Sequence, residues 1–162
     1  MSSVGGLDGV EEHSNFIAYK NYAGITNSVI AASPKSYSSG IIGHGFWQSN
    51  ITSCENYGDI SSITQKTEDT NEYFICYSYS GEIIGTASEK IVDNCLNYGN
   101  IYSKCESTVK TNVVSTASSG GLIEEGKDEI KNSSSFGTVK ASGEGDNMET
   151  TTYESNSIGY SY

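Results

Sequence analysis

The stretch Cys54-Glu55-Asn56-Tyr57-Gly58-Asp59-Ile60 returns 41 residues later as Cys95-Leu96-Asn97-Tyr98-Gly99-Asn100-Ile101. A looser copy, Tyr19-Lys20-Asn21-Tyr22-Ala23-Gly24-Ile25, lies 35 residues before it. A worn copy, Ser133-Ser134-Ser135-Phe136-Gly137-Thr138-Val139, follows 38 residues after the second. Self-similarity at a period of about 20–50 residues marks one supersecondary unit stacked on itself.

Working outward from this anchor, further apolar positions recur in step. Leu7, Ile41, Ile83 and Leu122 open each unit inside Gly-flanked apolar pairs, and Phe16, Ile51, Val92 and Ile130 lie six residues before the aromatic. The aromatics themselves are Tyr22, Tyr57, Tyr98 and Phe136, and Ile25, Ile60, Ile101 and Val139 lie three residues after them. Segments this short bury nothing alone. Stacked, their equivalent residues make continuous columns, which is how a solenoid builds a core. The expectation is an all-β parallel β-helix, a single domain over residues 1–162, with about four coils of 35–42 residues. The repeats run about 5–39, 40–80, 81–119 and 120–157, and residues 158–162 resemble the opening of a fifth. Each coil is expected to hold three short strands and a variable segment, the variable segments falling at 61–80, 102–119 and 140–157 as loops or accessory strands leaving the coil. Gly58 and Gly99 are expected to turn the corner with positive φ.

Composition points the same way. Charged residues are 18% of the chain, too few for a typical disordered segment, and 18 Gly, 12 Tyr and one Pro do not describe a helical bundle. Mean hydropathy is -0.40 and the pI near 4.4. The formal charge is -11 and every basic residue is Lys, with no basic stripe. A polyanion needs such a stripe to neutralise its phosphates, so nucleic acid is not an expected partner. No apolar run reaches the length of a spanning helix, so membrane insertion is not expected either. The first residues, Met1-Ser2-Ser3-Val4-Gly5-Gly6, lack the basic and apolar regions of a signal peptide.

The four cysteines, Cys54, Cys76, Cys95 and Cys105, match no zinc spacing. Cys54 and Cys95 share a repeat position, where neighbouring Cα atoms stand about 4.8 Å apart, within disulfide range. Stacked free thiols packing as small hydrophobes are favoured there over a bridge.

A search for chemistry finds isolated groups. The histidines His13 and His44 are 31 residues apart, which excludes a HExxH zinc site, and no nucleophile elbow or phosphate loop is present. A Cys54–His44 pair is the one conceivable thiol arrangement, and Cys95 has no counterpart to it. Glu55, Asp59 and Asp93 stand singly at turns, whereas a glycoside hydrolase needs opposed carboxylates. No cofactor is expected. Asp69-Thr70-Asn71-Glu72 and Glu144-Gly145-Asp146-Asn147 offer oxygen ligands for Ca2+ without EF-hand spacing. Tyr73, Ile75, Tyr77 and Tyr79 share one face by period two, and with Trp47 these tyrosines are candidate partner-binding residues. Tyr160 and Tyr162 are further aromatics of this kind.

The pattern Gly-Gly-(Ile/Leu)-(Ile/Val)-Gly, a spacer, then Ile-x-x-Cys-x-Asn-(Tyr/Thr)-Gly-x-(Ile/Val) resembles the GLUG-type repeats of bacterial surface and secreted proteins. Similar repeats flank the catalytic domain of immunoglobulin-A-cleaving metallopeptidases. Residues 40–60 and 81–101 carry the resemblance best; 5–25 and 120–139 match loosely, with Ala23 for Gly and Ser133 for Cys. The resemblance implies a right-handed coil and an extracellular, cell-surface setting, and it implies no activity for this chain. Three functions are expected from residues and resemblance together. The first is a non-enzymatic stalk or adhesive module that meets a protein or glycan ligand. The second is a filament subunit stacking on itself end to end. The third is a fragment of a glycan-acting β-helix enzyme.

Overall fold

The structure, a computed structural model, describes residues 2–12, 14–46, 50–67, 74–81, 83–86, 91–107, 113–125, 129–144 and 149–155. Five parallel sheets run along one axis; four coils each give one strand to each sheet in the same order, and the first sheet holds a fifth strand. The first sheet comprises Ser2–Gly5, Lys35–Ser39, Phe74–Gly81, Val113–Gly120 and Glu149–Ser155. The second comprises Asp8–Glu12, Ile42–Phe46, Ile84–Thr86 and Ile123–Glu125, and the third Phe16–Ile17, Asn50–Thr52, Ile91–Asp93 and Glu129–Lys131. The fourth holds the two-residue strands Lys20–Asn21, Glu55–Asn56, Leu96–Asn97 and Ser134–Ser135. The fifth holds Ile25–Ala31, Ile60–Lys66, Ile101–Ser107 and Val139–Glu144. The chain is a parallel β-helix.

The register is the register of the repeats. Ile60 pairs with Ile25 and Ile101, and Ile101 with Val139. Ile51 pairs with Phe16 and Val92, and Val92 with Ile130. The opening column is stitched by backbone bonds from Leu7 N–H to Ile41 O at 3.1 Å and from Ile83 N–H to Leu122 O at 3.0 Å. Ile41, Ile42, Ile83, Leu122, Ile51, Val92, Phe16, Cys54 and Cys95 form one apolar core, with Ile130 packed against it. Each fully buried Ile contributes about 1.5–3 kcal/mol relative to exposure. Leu7, in the first coil, is 45% exposed, because the second-coil residue covers it from one side only.

Three expectations need correction. The coil has five strands, not three. The strand expected to run into the corner is two strands, split by a left-handed residue: Ala18, Ser53, Asn94 and Asn132 have φ of 61°, 56°, 53° and 49°. No described glycine has positive φ. Gly58 and Gly99 are needed for closeness instead, since a Cβ on Gly58 would stand 2.0 Å from Ala23 O and one on Gly99 2.1 Å from Gly58 O.

The described parts of the segments 61–80, 102–119 and 140–157 do not leave the coil. They complete the fifth sheet and build the first, which fold against each other as a two-layer wing beside the apolar core. The seam is lined by Ser36, Ser38, Ser78, Ser80 and Ser119 on one side and Asn27, Ser62, Thr64 and Ser103 on the other, all buried. Small side chains let the two layers approach, and a buried hydroxyl then needs a partner. Ser62 Oγ donates to Ser36 Oγ at 2.7 Å, Ser78 Oγ to Ser62 O at 2.7 Å and Ser80 Oγ to Tyr102 O at 2.9 Å. Cys105, on the same seam, is buried and disulfide-bonded. Lys66 is also buried there and donates Nζ to Ala32 O at 2.9 Å.

Cys54 and Cys95 are buried, stacked thiols that form no disulfide. Cys54 N–H donates to Cys95 Sγ at 3.4 Å, and one coil on, Cys95 N–H donates to Ser133 Oγ at 2.9 Å. Serine can stand in for cysteine in this column because both offer an acceptor at the same place. Side-chain hydrogen bonding from Cys95 to the Cys54 sulfur, separate from that backbone bond, draws the Cys54 thiol down to about 7, against the opposing effect of burial.

Candidate functional site: an exposed aromatic ladder

The seven-residue repeat alternates across the corner between the fourth and fifth sheets. Cys54, Asn56, Gly58 and Ile60 are buried; Tyr57 and Asp59 are exposed and Glu55 is half-buried. The inward amide forms a ladder. Asn21 Nδ2 donates to Asn56 Oδ1 at 2.7 Å, Asn56 Nδ2 to Asn97 Oδ1 at 3.4 Å and Asn97 Nδ2 to Ser135 Oγ at 3.0 Å. The same amides tie down the turn: Asn56 Nδ2 donates to Gly58 O at 2.7 Å, and Asn97 Oδ1 accepts from Gly99 N–H at 2.6 Å.

With Asn turned inward, the next residue turns out. Tyr22, Tyr57, Tyr98 and Phe136 therefore form a ladder on the surface and are not part of the core, with exposures of 69%, 40%, 45% and 66%. Ring centroids are 4.9, 4.8 and 5.3 Å apart and the planes lie within 16° of parallel. Parallel rings at these separations are offset, the arrangement their quadrupoles favour.

The flanks of the ladder are polar. Lys20 Nζ lies 2.9 Å from a Glu55 oxygen, and Tyr57 Oη donates to the same oxygen. The Tyr57 hydrogen bond, then Lys20, holds the Glu55 carboxyl below the usual range, while Glu55 raises both Tyr57 and Lys20. On the other flank Asp59 Oδ1 accepts from Asn100 N–H at 2.8 Å and from Asn100 Nδ2 at 3.1 Å. Asp93 Oδ1 accepts from Asn132 Nδ2 at 2.9 Å. The three carboxylates singled out from the sequence thus brace neighbouring coils.

A second aromatic cluster lies on the outer face of the first sheet. Tyr37 and Tyr79 stack at 5.3 Å, Tyr77 and Tyr79 at 5.5 Å, and Lys35 Nζ lies 5.0 Å above the Tyr77 ring. His44 packs on Tyr37 at 4.7 Å, and burial pushes its pKa down. His44 is therefore engaged in packing on the outer surface, while Cys54 faces the core. Of the candidate partner-binding residues, Tyr77 and Tyr79 belong to this half-buried cluster, and Trp47 and Tyr73 lie outside the described residues. Residues 69–72 and 145–147, the possible Ca2+ ligands, and the 158–162 segment also lie outside them. Among the described residues no group of three or more His, Cys, Asp or Glu is placed to hold a metal ion.

The surface ladder is the feature missed when the aromatics are counted as one more apolar column. Period-two reading of the quoted stretch contains the missing signal, since it places Tyr57 with Glu55 and Asp59. Compared with family models, curated proteins and solved structures, the chain matches none.

Proposed function

We propose that this chain is a non-enzymatic structural module, a stiff β-solenoid stalk that spaces or displays a binding surface on a bacterial cell-surface or secreted protein. The observation that carries the reading is the use made of the repeated polar residues. Asn21, Asn56 and Asn97 bond coil to coil, Asp59 caps the Asn100 turn, and Glu55 is tied to Lys20 and Tyr57. A carboxyl held below its usual pKa is ionised near neutrality and is a poor general acid, which disfavours the glycan-acting alternative at Glu55. The resemblance to GLUG-type repeats supports the exported setting.

Single-molecule extension tests this reading. A stalk of stacked coils yields in steps of one coil, 35–41 residues in the described register, or about 12–14 nm of contour each. Rupture of the whole chain in one low-force event would contradict it, as would turnover of any polysaccharide that is lost on Glu55→Gln.

A further inference from the structure

We propose that the Tyr22–Tyr57–Tyr98–Phe136 ladder is a binding site for flat, elongated, positively charged conjugated molecules lying along the solenoid axis. The four rings stand in one line about 15 Å long, one rung per coil. Each ring is left partly to solvent: even the inner rungs, Tyr57 and Tyr98, are 40% and 45% exposed. A straight, regular row matches a rigid planar ligand that touches three or more rungs at once. A flexible chain would lose more conformational freedom on the same surface. The row is held by backbone register and by the Asn ladder beneath it, so the protein has little to reorganise on binding.

Charge selects the sign of the ligand. Glu55 and Asp59 border the Tyr57 rung, and the chain carries a formal charge of -11. Lys20, at the first-coil end, is paired with Glu55, and Lys140 borders the shallow hollow that Asn100, Ile101, Tyr102 and Thr138 form beside the ladder. The acidic balance around Tyr57 favours a cation over an anion. The Tyr37–Tyr79 cluster offers a poorer platform, since His44 already covers Tyr37 and Lys35 already occupies the Tyr77 face.

Thioflavin T, a flat cationic dye, is the probe, titrated into the full chain shown to be monomeric by sedimentation. The expected result is a saturable rise in fluorescence that weakens as salt is raised. Tyr57→Leu and Tyr98→Leu, each checked for an unchanged circular dichroism spectrum, should bind roughly tenfold more weakly. Tyr98→Phe, which keeps the stack and guards against misfolding of the Leu variants, should bind as the parent does, and Glu55→Gln should weaken binding severalfold. No fluorescence rise on the monomer would overturn the proposal. So would binding indifferent to both Leu variants, binding lost on Tyr79→Leu instead, or equally tight binding of a planar anionic dye.

Discussion

At the corner, side-chain parity decides everything. Cys54, Asn56, Gly58 and Ile60 face inward and Glu55, Tyr57 and Asp59 face outward, so the carboxylates, though adjacent in sequence to the thiol and the amide, never share a site with them. The glycine is inward and pressed against the neighbouring coil. Gly99→Ala should therefore cost about 3 kcal/mol or more, because a backbone carbonyl, not a movable side chain, meets the new methyl. Gly24→Ala, whose Cβ would sit 3.5 Å from Asp59 O, should stay within about 1 kcal/mol of the parent in the same urea titration. His44 makes a pH prediction. Burial against Tyr37 lowers its folded pKa, so the unfolded chain binds the proton more readily. Its contribution is fully present above the unfolded value of about 6.5 and is lost as pH falls from there through the depressed folded value. His44→Phe should flatten the acid side of a plot of unfolding free energy against pH, and an unchanged slope would refute the assignment.

Among the elements, the ladders do the holding. The two-residue strands of the fourth sheet are too short to be stable singly, and the Asn column gives each a second set of coil-to-coil bonds. Asn56→Leu breaks the ladder on both sides and takes the amide donor from the buried Gly58 carbonyl, while Asn21 and Asn97 each keep one bond within their own turn, and it should cost about 3 kcal/mol by denaturant unfolding. Asn21→Leu, at the half-exposed end rung, should cost clearly less. These elements also show how far the sequence can be read. The Ile and Val columns and the coil register were visible in the spacing, because apolar residues repeat at fixed offsets. Of the first sheet only the strand carrying Tyr77 and Tyr79 was visible, through its alternation, since Ser36, Ser38, Ser78 and Ser80 line the sheet's inner face and a search for apolar columns passes over hydroxyls. The surface position of the tyrosines was present in the alternation of the repeat but masked by their hydrophobicity. The left-handed bend at Ala18, Ser53, Asn94 and Asn132 carries no glycine to announce it, and only two of the four are the asparagine that best tolerates it.

For the whole molecule, the central claim is that the coils are interchangeable units of one parallel stack, whose stability is a sum of coil and interface terms. An apolar core and a serine-lined wing run the length of that stack side by side, and both continue unchanged through any coil that keeps the register. The direct test is duplication of one coil: a second copy of residues 25–59 inserted between Asp59 and Ile60, which puts Ile25 of the copy where Ile60 now follows. The expected protein keeps the parent's circular dichroism per residue, lengthens by about 4.8 Å in small-angle scattering and melts at a higher temperature. A longer chain that loses β-signal per residue, or melts below the parent, would contradict the stack of equivalent coils.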